Sequence, residues 1–68
     1  MTLLQFIDSK LDEETPVGDL ANDAKKDSKF QTLKNDKDRL EYLSESTHAI
    51  REVYKDFLKE FKLIKDNE

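Results

Sequence analysis

The sequence predicts an all-helical domain, a compact bundle of four helices, and three observations carry that expectation. Apolar residues recur at intervals of three and four over most of the chain, the mark of helices that turn one stripe toward a core. Side chains suited to N-capping stand immediately before those stripes. Charged residues make up 41% and hydrophobic ones 35%, a balance close to that of disordered chains, so a core forms only if the few apolar groups are placed with helical regularity.

The first helix is expected over 3–11. Thr2 and Gln5 stand three apart, the spacing at which each side chain satisfies the other's free backbone amide. Leu3, Leu4, Ile7 and Leu11 then gather on one stripe, with Phe6 at its edge. The acidic connector DEET, 12–15, lacks any apolar repeat and leads into Thr15 and Pro16, an N-cap followed by the one residue that has no amide hydrogen to satisfy.

The second helix is expected over 16–26, with Val17, Leu20, Ala21 and Ala24 inward and Asp19 at the helix's positive end. Gly18 falls in its first turn, where glycine costs about 1 kcal/mol relative to alanine, so a neighbouring backbone packs closely there or the position is simply tolerated. Residues 27–35 show no helical repeat and read as an ordered loop whose Phe30 and Leu33 plug the core.

Asn35 or Asp36 caps a third helix, 36–43, with Leu40 and Leu43 inward and Tyr42 at the boundary. The fourth, 47–64, has the longest stripe: Ile50, Val53, Tyr54, Phe57, Leu58, Phe61 and then Ile64 or Leu63. Its other face, with Arg51, Glu52, Lys55, Asp56, Lys59, Glu60 and Lys62, reads as solvated, with both repulsive and attractive neighbours along the helix.

With 68 residues the chain makes a single domain, 1–68, and one this short buries only about 60% of the surface exposed when unfolded. The absence of cysteine removes disulfide frameworks and thiolate metal sites, and a cytoplasmic location is the expectation. Apolar runs reach two residues, such as Leu3-Leu4 and Leu63-Ile64, against the roughly 20 of a membrane span.

Chemistry is poorly served. A phosphate loop needs several free amides, usually supplied by two or more glycines between a strand and a helix, and here one glycine stands in a helix start. His48 is the only histidine and has no cysteine companion; it is expected to be exposed in the first turn of the last helix. The acidic 12–14 lacks the alternating ligands and glycine of a calcium loop. A pocket able to retune an acid or base, His48 or Asp23 for example, has little room in so small a core. No catalytic residue, metal site or cofactor is therefore assigned.

Binding remains. The net charge of −4 is uneven: residues 1–24 set one cation against six carboxylates, 25–40 set six cations against three, and 41–68 set five against seven. The basic island Lys25, Lys26, Lys29, Lys34, Lys37 and Arg39 makes nucleic acid the alternative partner, though three aspartates are interspersed and the whole is acidic. An unidentified protein is the first choice, with Phe30, Tyr42 and Tyr54 as contact candidates if the core does not absorb them. The chain is expected to be a monomer or to self-associate weakly.

The stretch PVGDLANDAKKDSKF, 16–30, resembles the signature of the YozE-like family, small proteins of Gram-positive bacteria and their mobile elements. LLQFID before it, and DRLEYLSE and AIREVYKDFLKEFK after it, match that family's order of segments over nearly the whole chain. The resemblance implies a four-helix fold similar to the sterile alpha motif, and a class of protein or nucleic-acid binding known from such folds. Gly18, Asp19, Leu20, Ala21, Asn22 and Asp23 carry over as motif positions without an assigned role. The chain departs from the pattern at Gln31, where relatives usually have proline, and in lacking tryptophan in the last helix. A loop less rigid after Phe30 is the implied consequence. Asn22 or Asp23 is expected to hydrogen-bond the backbone of 27–33 and pin that segment.

Overall fold

In a computed structural model, which describes residues 1–46 and 51–67, the order is α1 (Leu3–Lys10), α2 (Pro16–Lys26), α3 (Ser28–Thr32), α4 (Asp36–Ser46) and α5 (Arg51–Asp66). The described residues thus hold five helices and no strand. The added one is α3, where a loop is expected from sequence: five residues are too few to display a 3.6-residue repeat. It forms because the Asp27 side chain accepts hydrogen bonds from the amides of Lys29 (2.9 Å) and Phe30 (3.2 Å), as an N-cap does. Gln31 makes two contacts of its own there. Its amide donates to the Asp27 carbonyl at 3.2 Å and its side chain donates to the Lys25 carbonyl at 3.1 Å, the first of which a proline would forfeit.

The other starts follow the sequence closely. Thr2 and Gln5 exchange their two hydrogen bonds at 3.2 and 2.9 Å. Thr15 accepts from the Gly18 amide at 3.1 Å with Pro16 at the first helical position. Asn35 is the residue that caps α4, accepting from the Asp38 amide at 2.8 Å. Asp36 instead reaches across the fold and accepts from the Leu3 amide at 3.2 Å. Helix α4 runs three residues beyond the expected end, and α5 ends two beyond it; the expected start of that helix at 47, with Ile50 and His48, lies outside the described residues.

The core is built from Leu3, Phe6 and Ile7 of α1, Val17, Leu20, Ala21 and Ala24 of α2, Phe30, Leu43, and Phe57 and Phe61 of α5. Phe6 stands edge-on to Phe57 at 5.1 Å and tilted to Phe61 at 5.4 Å, geometries that suit the ring quadrupoles. Helix α2 lies at the centre, packed on α1, α3 and α5. The Cα radius of gyration is 10.9 Å, matching the value of about 11 Å expected of a compact domain this long.

Lys10 closes α1 onto α5 by contacting Glu13 at 2.8 Å and Glu60 at 3.0 Å. The Glu13 hydrogen bond, then that of Glu60, holds its amine above the ordinary lysine value, and Lys10 in turn holds the Glu13 carboxyl low.

Gly18 is explained by a close approach. A Cβ built there would overlap the Glu13 carbonyl oxygen and lie 2.9 Å from the carbonyl carbon. Alanine gains about 1 kcal/mol of helix propensity, but backbone overlap of this kind costs more, since overpacking alone costs about 1–3 kcal/mol. Gly18→Ala is therefore expected to lower the thermal midpoint by several degrees, measured by circular dichroism; a raised midpoint would show that the 12–15 connector can move aside.

Candidate interaction surfaces

Of the three apolar contact candidates, Phe30 is fully buried and has no face to offer a partner: its ring sits 6.4 Å from that of Tyr42 inside the domain. Tyr42 and Tyr54 are half-buried against the core. The Tyr42 hydroxyl donates to Asp27 Oδ2 at 2.6 Å and the Tyr54 hydroxyl donates to the Leu40 carbonyl at 3.2 Å. Burial pushes the Tyr54 hydroxyl's pKa above its usual value. All three aromatics thus act in packing: Phe30 and Tyr42 hold α3 to α4, and Tyr54 holds α5 to α4.

The basic island is divided. Lys25 pairs with Asp8 at 2.8 Å across α1 and α2. Arg39 is largely buried, its Nη1 donating to Asp36 Oδ1 at 2.9 Å and its Nη2 to the Leu33 carbonyl at 2.8 Å, which ties the start of α4 to the end of α3. Its Nε is buried without an acceptor. The Lys29 amine stands 5.7 Å from the centre of the Tyr42 ring, within range of a cation–π contact. Lys26, Lys34 and Lys37 are exposed.

The motif 18–23 is structural throughout its buried half. Leu20 and Ala21 are core, Gly18 admits the Glu13 backbone, and Asp19 and Asp23 are exposed. Asn22 does pin a backbone, though a different one from that expected: its Nδ2 donates to the Leu11 carbonyl at 2.9 Å and to the Gly18 carbonyl at 3.0 Å. The residue satisfies a free carbonyl at the end of α1, because its side chain points toward α1 while 27–33 lies beyond the other end of α2. Segment 27–33 is held by Asp27, Gln31 and Tyr42 in its place.

A further exposed apolar surface lies on α5. Leu63 is 54% exposed, and it forms a ridge between two open grooves. One runs along α5 between Lys55, Leu58, Lys59, Lys62, Leu63 and Asp66. The other lies between α5 and the connector, lined by Glu13, Thr15, Pro16, Val17, Asp56, Lys59, Glu60 and Leu63. The signal was present in the spacing: Ile64 continues Phe57 and Phe61 at i+7 and i+3, which leaves Leu63 off the stripe. Ile64 is the one packed against the core.

Among the described residues no three histidine, cysteine, aspartate or glutamate side chains are grouped to hold a metal ion, and no helix is long and apolar enough to cross a membrane. No family model, no curated protein and no solved structure matches the chain.

Asn22→Ala leaves the Leu11 carbonyl without its donor, and the urea midpoint is expected to fall by an equivalent of about 1–2 kcal/mol, whereas Asp23→Ala leaves it unchanged; equal effects would refute the pin. Asp27 supplies a pH test. Its carboxyl is held below the usual range first by the Tyr42 hydroxyl and then by the Phe30 and Lys29 amides, against an opposing effect of burial. A carboxyl lowered in the folded state adds stability that is fully present above the unfolded value of about 3.9 and is lost as pH falls through the folded value. Tyr42→Phe is accordingly expected to be less stable than the parent at neutral pH, the gap closing in acid; a gap constant with pH would place the loss in packing alone.

Proposed function

We propose that the chain is a non-catalytic helical docking module that binds another protein. The observation that carries this reading is the Leu63 ridge: a leucine more than half exposed, flanked by two grooves on a helix whose opposite side makes the core. Leu63 and the half-buried Leu58 together give the groove along α5 apolar walls with charged residues at its rim, a form shared by many protein contacts. The proposed setting is the cytoplasm of a Gram-positive bacterium, with the module acting as a monomer or weakly self-associating. The likeness of 16–30 to the YozE-like signature supports membership of that family and a sterile-alpha-motif-like arrangement of α1, α2, α4 and α5, with α3 as a short addition between the second and third.

Nucleic-acid binding through 25–39 is the second reading, favoured by the exposure of Lys26, Lys34 and Lys37. Internal contacts of Lys25 and Arg39 weaken it. With four phosphates, those met by Lys26, Lys29, Lys34 and Lys37, neutralised in place of six, the logarithm of affinity would fall with that of salt at a slope of about −4 in place of about −5.

The test is capture from host lysate by the tagged chain, with and without nuclease, at low and moderate salt. A defined protein that survives nuclease is expected. Retained nucleic acid, or partners that leave with nuclease, would overturn the docking reading and favour the basic segment.

A further inference from the structure

The outer face of α5 carries Arg51, Lys55, Lys59 and Lys62 at successive spacings of four, four and three, so the four cations stand one above another along the helix. All four are exposed. Three other cations are paired, Lys10 with two carboxylates, Lys25 with Asp8 and Arg39 with Asp36; among the described residues no carboxylate lies within ion-pair distance of this row. Neighbouring like charges on a helix repel, and an anion set against the row relieves that repulsion.

The row is more than charge. Lys55, Leu58, Lys59 and Lys62 occupy positions i, i+3, i+4 and i+7, and Lys59, Lys62, Leu63 and Asp66 repeat that diamond one turn on. Such a diamond is the hole that receives one side chain of a facing helix. The lysines contribute apolar stems to its walls while their amines reach outward. Two holes four residues apart suit apolar knobs at i and i+4 of another helix.

The chemistry also selects against a polyanion. Glu52 and Asp56 are exposed on the flank beside the lysine row, and would face the phosphates of nucleic acid or an anionic membrane, whose charges extend in both directions. A helix can keep its carboxylates on one side only. Resting on the docking reading above, we infer that this face of α5 binds an acidic amphipathic helix of a partner protein, with two apolar knobs in the diamonds and carboxylates against Lys55, Lys59 and Lys62. One helix face is a small interface, so the contact is weak and transient.

The probe is a synthetic Glu/Leu/Ala helix about 20 residues long with leucines at i and i+4 and glutamates on one flank. Its controls are a scrambled isomer and a version with lysine for each glutamate. Binding to the isotopically labelled chain is followed by NMR and fluorescence anisotropy. Expected are shifts concentrated on residues 55–66, and an affinity about tenfold or more above that of the scrambled isomer. Combining Lys55→Glu, Lys59→Glu and Lys62→Glu abolishes binding of the acidic peptide and confers binding of the lysine version. Changing Lys26, Lys34 and Lys37 to glutamate has no effect. Because the lysine peptide must also fail on the parent chain, the test stands even if the triple variant does not fold.

Equal binding of the scrambled isomer, or shifts centred elsewhere, overturns the inference. So do the same α5 shifts with a DNA duplex or anionic vesicles at moderate salt, or a concentration-dependent mass showing a second copy on this face. If no peptide binds but lysate capture retains the same nuclease-resistant protein on parent and triple variant alike, the docking reading stands and the assignment to α5 falls. If the parent chain itself retains no nuclease-resistant protein, both readings fall.

Discussion

The ring of Phe6 meets Phe57 at 5.1 Å and Phe61 at 5.4 Å, and this contact joins the first helix to the last across nearly the whole chain. In a domain of 68 residues few such contacts are available, so each carries a large share of the burial that offsets chain entropy. With Phe6 fixed, α2 is confined between α1 and α5, and its small inward residues Ala21 and Ala24 set how closely the helices approach. Gly18 extends the same logic to the connector, where the missing side chain lets the Glu13 backbone lie against α2. The Lys10 contacts to Glu13 and Glu60 then cover the edge of the seam.

What the sequence disclosed was local chemistry. The Thr2–Gln5 exchange, the Thr15–Pro16 start and a cap at Asn35 or Asp36 each depend on side chains within four residues of the backbone groups they satisfy, and all are present, the last through Asn35. The inward positions Leu43, Phe57 and Phe61 were legible from spacing alone. Helix α3 was not, because a single turn has no period and its cap, Asp27, reads equally well as one charge in a lysine-rich turn. Nor could spacing reveal that Asn22 would serve the end of α1, or that Arg39 would turn inward to the Leu33 carbonyl. Those are contacts between segments, decided by packing.

The same division applies to function. Aromatic residues nominated for a partner were drawn inward, since a core this small needs every large apolar group it can reach: Phe30 entirely, Tyr42 and Tyr54 in part. The surface left over is defined by what the stripe of α5 does not use. Leu63 stands apart from it by one helical step, and the lysine row occupies an exposed side of the same helix. A helix that is core on one side thereby gains a distinct face on the other, and the anionic flank beside that face narrows what can lie against it.

Asp36 touches two distant parts of the chain at once. Its Oδ2 accepts from the Leu3 amide while its Oδ1 accepts from Arg39, whose other nitrogen serves the Leu33 carbonyl. In a row of aspartates and lysines it looks interchangeable with its neighbours. Its substitution would nonetheless leave an inward-turned guanidinium without its anion, so the effect of a change at 36 depends on which residue occupies 39. The pair forms an epistatic unit, and sequences that retain this fold are expected to alter the two positions together or to keep both.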